Sequence, residues 1–73
     1  MNSIGEKIKQ LRLKKGVTQK QIAEYLQVTT VTLQRFEYGD RRPSLDTLIK
    51  LCNFFNVSAD YLLGLSDNPE INK

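Results

Sequence analysis

The chain has 73 residues, a single-domain length, and a domain this small buries only about 60% of the surface its unfolded form exposes, which leaves little room for a catalytic pocket. It carries one cysteine and no histidine, which excludes an internal disulfide, a metal site built on His or Cys clusters, and the Ser-His-Asp and Cys-His catalytic devices. The net charge of +3 is uneven: residues 1–20 carry six Lys/Arg against one Glu, residues 21–43 three against three, and residues 44–73 two against four, a basic beginning that suits a polyanion or, equally well, a solvated lysine face.

Five helices are expected, each with a start signal. The first runs from about Ser3 to Lys15. Ser3 and Glu6 have capping-box spacing, Ile4, Ile8 and Leu11 form an i, i+4, i+7 stripe, and Gly16 supplies a left-handed stop. The second runs from about Gln19 to Leu26, with Thr18 and Gln21 repeating the capping-box spacing and Ile22, Ala23 and Leu26 facing inward. The third, about Thr30 to Tyr38, opens on β-branched residues that usually favour a strand. Its position between the cap Thr29 and the stop Gly39, with Leu33 and Phe36 three apart, makes it a helix. The fourth follows Pro43 with Ser44 as cap, carries Leu45, Leu48, Ile49, Leu51, Cys52 and Phe55, and ends near Asn56. The fifth begins at Ser58, carries Tyr61, Leu62 and Leu63, and is closed by Gly64. The domain is expected over residues 1–65, with residues 66–73 a polar tail that frays. The start of the chain shows no basic region followed by an apolar stretch, and the apolar runs are too short to span a bilayer, so a cytoplasmic setting is expected.

The second and third helices are separated only by Gln27-Val28-Thr29. A link this short favours the steep crossing of a helix-turn-helix, with Ala23 at the close approach and Val28 plugging the turn. The outer face of the third helix, Thr30, Val31, Gln34 and Arg35, then presents donors, acceptors and methyl groups on a stiff backbone, as reading base edges in a DNA major groove requires. Two packed helices with a merely polar outer face fit the same signals.

The stretches "IGEKIKQLRLKKGVTQKQIAEYLQV", "LQRFEYGDRRPSLDTLIKLCNFFNVS" and "DYLLG" together resemble the Xre-type, phage-repressor and Cro-like helix-turn-helix family, from Ile4 to about Gly64. The resemblance implies an all-α fold, a compact five-helix lambda-repressor-like domain that binds double-stranded operator DNA, usually as a homodimer on an inverted repeat, in a transcriptional regulator of the repressor type. It implies base readout by Thr30, Val31, Gln34 and Arg35, with Arg35 suited to guanine, Thr30 to either donors or acceptors and Val31 to a thymine methyl. Phosphate contacts are implied for Gln19, which also braces the recognition helix and sits at a helix N-terminus with free N–H groups, and for Thr29, Tyr38, Arg41 and Arg42. Arg12 and Glu37 match a pair that ties the first helix to the third. Cys52 matches a small core residue.

The chain departs from the family at Gln27, where glycine is usual and an altered turn is expected, and at Tyr38 and Asp40, where Asn and Lys are common. These last two changes weaken the phosphate contacts expected at the end of the third helix, although the Tyr38 hydroxyl can still donate to a phosphate and Arg41 and Arg42 can compensate. Phe54 and the run from Tyr61 to Leu65 are candidate dimer contacts, and completion of the core is the competing role for both. Tyr25 is expected at the surface, and Lys7, Lys9, Lys14 and Lys15 as solvated charge. No carboxylate group, nucleophile or phosphate loop points to an enzyme, and no cofactor or metal is expected. The rival function is a protein-interaction or antitoxin-like module with DNA binding secondary.

Overall fold

A computed structural model describes residues 4–70. The helices are α1 (Ile4–Lys15), α2 (Gln19–Leu26), α3 (Thr30–Tyr38), α4 (Leu45–Phe55) and α5 (Ala59–Leu62), with no strand among the described residues. The expected cap Ser3 lies outside them. The other starts are set by side chains that satisfy otherwise unpaired N–H groups. The Gln21 amide N–H donates to Thr18 Oγ1 at 3.0 Å, and Thr18 N–H donates to Gln21 Oε1 at 2.8 Å, closing the capping box. Thr29, Ser44 and Ser58 accept from the N–H groups of Thr32, Thr47 and Tyr61 at 3.1, 3.2 and 3.1 Å. Each such cap stabilises its helix by about 1 kcal/mol.

Packing explains why α3 is helical despite its opening residues. Thr30, Val31 and Thr32 each cost about 0.5 kcal/mol relative to alanine in a helix. Burial of Leu33 and Phe36 contributes about 1.5–3 kcal/mol each and outweighs that cost. Every helix gives the core one side chain with no exposure at all: Ile8, Ile22, Leu33, Leu51 and Leu62. Around them α1 packs on α3 and α5, α2 on α3 and α4, and α4 on α5. Gly5, buried in the first turn of α1, marks a close approach of α1 to the end of α3. A Cβ there would run into the backbone carbonyls of Phe36 and Glu37 at the end of α3.

Gln27 takes the left-handed conformation itself, at φ 60, so the turn keeps its left-handed form without a glycine. This costs about 1 kcal/mol. In return Val28 N–H donates to Ala23 O at 3.0 Å and the Val28 side chain reaches the core. Asn56, at φ 55, turns α4 in the same way and delivers Val57 into the interior, 4% exposed.

Three features of the packing bear on the sequence reading. First, not all the apolar residues of α4 face inward. Leu48, Leu51, Cys52 and Phe55, at i, i+3, i+4 and i+7, are buried or half-buried, whereas Leu45 and Ile49 are exposed, as is Leu63 after α5. A helix turns 100° per residue, so one face cannot hold all six. Second, of the two roles left open for Phe54, dimer contact and completion of the core, its packing matches the core role. Its ring lies 4.8 Å from that of Tyr25 and 5.1 Å from that of Phe55, and it packs against the core. Phe54→Ala is therefore expected to cost about 2–3 kcal/mol, near the low end for buried aromatics, read as a lowered denaturation midpoint. Third, the segment after Gly64 folds back as far as residue 70. Ser58 N–H donates to Pro69 O at 2.9 Å, and Glu70 N–H to Asn68 Oδ1 at 3.0 Å. These bonds satisfy backbone groups that a frayed tail would leave to water.

Cys52 is a free, buried thiol. Burial pushes its pKa up, with its own backbone hydrogen bond opposing, which suits a core packing role rather than a reactive one.

Candidate nucleic-acid interface

With Leu33 and Phe36 turned inward, α3 leaves Val31, Gln34, Arg35 and Tyr38 exposed. These lie at i, i+3, i+4 and i+7 and form one outward stripe. Tyr38, 83% exposed, stands at its end. Thr30, at the start of the helix, is half-buried, and the cap Thr29 is exposed. The Thr29 hydroxyl is 2.9 Å from that of Thr32, so capping already uses part of its hydrogen-bonding capacity. Past Gly39 the chain exposes Arg41 and Arg42, which border a cleft with Ile4, Pro43 and Leu48.

The stripe is held from behind by a polar brace. Arg12 on α1 donates from Nε to Glu37 Oε2 at 2.7 Å and from Nη2 to Glu37 Oε1 at 3.3 Å. The two side chains are only 13% and 5% exposed. Arg12 Nη1 also donates to Val17 O at 3.4 Å. Gln19, the first residue of α2, donates from Nε2 to Glu37 Oε1 at 3.1 Å, and Gln34 donates from Nε2 to Gln19 Oε1 at 3.3 Å. One carboxylate near the end of α3 thus joins all three helices. Among the described residues no buried side-chain nitrogen or oxygen lacks a partner, so the brace does not leave a desolvated charge unpaired.

The brace restricts what its members can offer a ligand. Gln19 has one amide hydrogen engaged by Glu37 and its oxygen by Gln34, which leaves a single side-chain N–H for a phosphate. Gln34 keeps one N–H and spare acceptor capacity. Arg35 is exposed and its side chain makes no hydrogen bond or ion pair with the described residues, which leaves its five-donor fork to a ligand. Of the sequence-derived residues, the structure brings together Arg12, Gln19, Gln34 and Glu37 in one network and sets Val31, Arg35 and Tyr38 beside it. Phe54, Tyr61 and Leu65 do not form a comparable group: the first two are half-buried, and Leu65 is 75% exposed.

An outward helix face braced against a second helix, across a turn of three residues, is a helix-turn-helix, and residues 8–62 match the helix-turn-helix family model. The chain belongs to this family. The HTH-type transcriptional regulator ImmR of Bacillus subtilis (strain 168) is 44% identical over 71 residues, covering 97% of this chain and 56% of that protein. The P22 c2 repressor in complex with synthetic operator 9T superposes with a TM-score of 0.84 at 26% identity, covering 90% of this chain and 100% of that one. SinR of Bacillus subtilis, the master regulator for biofilm formation, in complex with DNA, gives a TM-score of 0.74 at 34% identity, covering 82% and 97%. The chain spans about half the length of the curated relatives it matches. Among the described residues no helix is long and apolar enough to cross a membrane.

Proposed function

We propose that this chain is the sequence-specific, double-stranded DNA-binding part of a cytoplasmic transcriptional regulator of the repressor type. The observation that carries the reading is the exposed stripe of Val31, Gln34, Arg35 and Tyr38 on a helix fixed from behind by Leu33, Phe36 and the Glu37 brace. In this reading α3 enters the major groove while α2 lies across the backbone. Arg35 reads guanine through O6 and N7, Val31 meets a thymine methyl, and Thr30 and Gln34 meet neighbouring base edges. Gln19, Thr29, Tyr38, Arg41 and Arg42 hold phosphates and set the register.

A single copy of this size reaches few bases, so the reading includes a homodimer on an inverted repeat, with the two α3 helices about 34 Å apart. Of Phe54, Tyr61 and Leu65, the last is the most exposed, and Leu45 and Ile49, 71% and 51% exposed, are further apolar residues that a second copy would cover.

Arg35→Ala tests the base assignment. Its expected effect is a loss of about 1–3 kcal/mol in binding together with relaxed preference at one base position. An equal loss on every sequence would move Arg35 to the backbone and remove the main specificity contact. Salt separates this reading from a protein-docking module: binding through several Lys and Arg contacts weakens steeply as salt rises, and docking on an apolar patch does not.

A further inference from the structure

The four lysines of α1 do not share a face. Lys7 Nζ stands 4.3 Å from the centre of the Tyr61 ring. Lys15 Nζ donates to Phe54 O at 2.9 Å and lies 4.7 Å from the Phe54 ring centre. Lys14 borders a cleft with Leu11, Tyr61 and Pro69. These three are directed toward the α4–α5 side of the molecule. Lys9 alone of the four borders the brace, in a cleft of about 150 Å³ that it shares with Arg12, Gln19, Gln34, Glu37 and Tyr38.

The electrostatics of this cleft follow from its pairing. The Glu37 carboxylate is matched by the Arg12 guanidinium and takes a further hydrogen bond from Gln19. The floor is therefore close to neutral. Among the described residues that line it, the charge left without a counter-charge is the Lys9 ammonium, a compact cation with three donors. On the α3 side, the 83% exposed Tyr38 adds a hydroxyl that makes no hydrogen bond to the described residues in the structure. Each liquid water occupies about 30 Å³, so the cleft admits a phosphate group together with a bridging water. We propose that this cleft seats one backbone phosphodiester of the bound duplex, held between Lys9 Nζ and the Tyr38 hydroxyl. The seat rests on the reading that α3 enters the major groove. It assigns α1 a direct contact that its lysine-rich composition does not single out, and it separates Lys9 from Lys7, Lys14 and Lys15.

The test is the slope of log Kd against log salt for the whole chain on a mixed-sequence duplex, with thermal melting as the check that each variant folds. Lys9→Gln is expected to reduce the slope by about one, so that the advantage of the unchanged protein shrinks about threefold between roughly 50 and 200 mM salt. Tyr38→Phe removes no charge and is expected to weaken binding about fivefold on all duplexes with the slope unaltered. Lys14→Gln is expected to leave the slope as it was. An unaltered slope in Lys9→Gln, or an equal fall in Lys14→Gln, overturns the seat while leaving the DNA-binding reading in place. Absence of any salt-dependent duplex binding by the unchanged protein overturns that reading as well.

Discussion

Glu37→Ala is expected to lower the stability of the domain by about 3–5 kcal/mol, the usual cost of removing one partner from a largely buried ion pair. The loss exceeds that of an exposed pair because the carboxylate, 5% exposed, is the common acceptor for Arg12 and Gln19. Without it the Arg12 guanidinium remains largely out of water with no counter-charge, and Gln19 loses the acceptor that orients it toward Gln34. A domain of this length has a total stability of roughly 4–11 kcal/mol, so a large share disappears. Urea denaturation reads the change as a lower midpoint with an unchanged slope. A loss below about 1 kcal/mol would place the pair with ordinary surface ion pairs and would remove the brace as the element that fixes α3.

Gly5→Ala is expected to be destabilising by about 1–3 kcal/mol, the range for overpacking, although helix propensity alone predicts the opposite sign. Alanine is favoured over glycine inside a helix by about 1 kcal/mol. At this position the added methyl meets the carbonyl oxygens of Phe36 and Glu37, which are backbone atoms and cannot rotate away. Relief requires α1 to move off the end of α3, and that movement also lengthens the Arg12–Glu37 contact. The collision therefore outweighs the propensity gain. Circular dichroism melts decide the sign, and a raised melting temperature would mean that α1 and α3 do not approach as closely as described.

How much of this was readable from the residues differs by element. Helix starts were legible because a capping residue and its target N–H are only two or three positions apart, as at Thr18 and Thr29. The outward residues of α3 were legible because Leu33 and Phe36 alone fix which way it faces. The direction of α4 was harder. Six apolar residues cover more than one face, and only contact with α2 and α5 selects Leu48, Leu51, Cys52 and Phe55 over Leu45 and Ile49. Val57 was missed because its burial depends on the left-handed turn at Asn56. Gly5 does carry a sequence signal, since glycine inside a helical pattern is unfavourable unless another backbone comes close. The network through Gln19 was legible only through the family resemblance, which implies that Gln19 braces the third helix and that Arg12 pairs with Glu37. Gln19 and Glu37 are 18 positions apart and Gln19 and Gln34 are 15 apart, and no local spacing rule reaches that far. The lysines of α1 show the same limit, because their four ammonium groups look alike until aromatic rings and clefts sort them.

Selection of bound sites from a pool of random duplex DNA bears most directly on whether the braced outer face of α3 reads sequence. Enrichment of an inverted repeat is the expected result, with half-site centres about 10 base pairs apart and one preferred base relaxed in Arg35→Ala. A recovered pool with no base preferred at any position would contradict that role for α3.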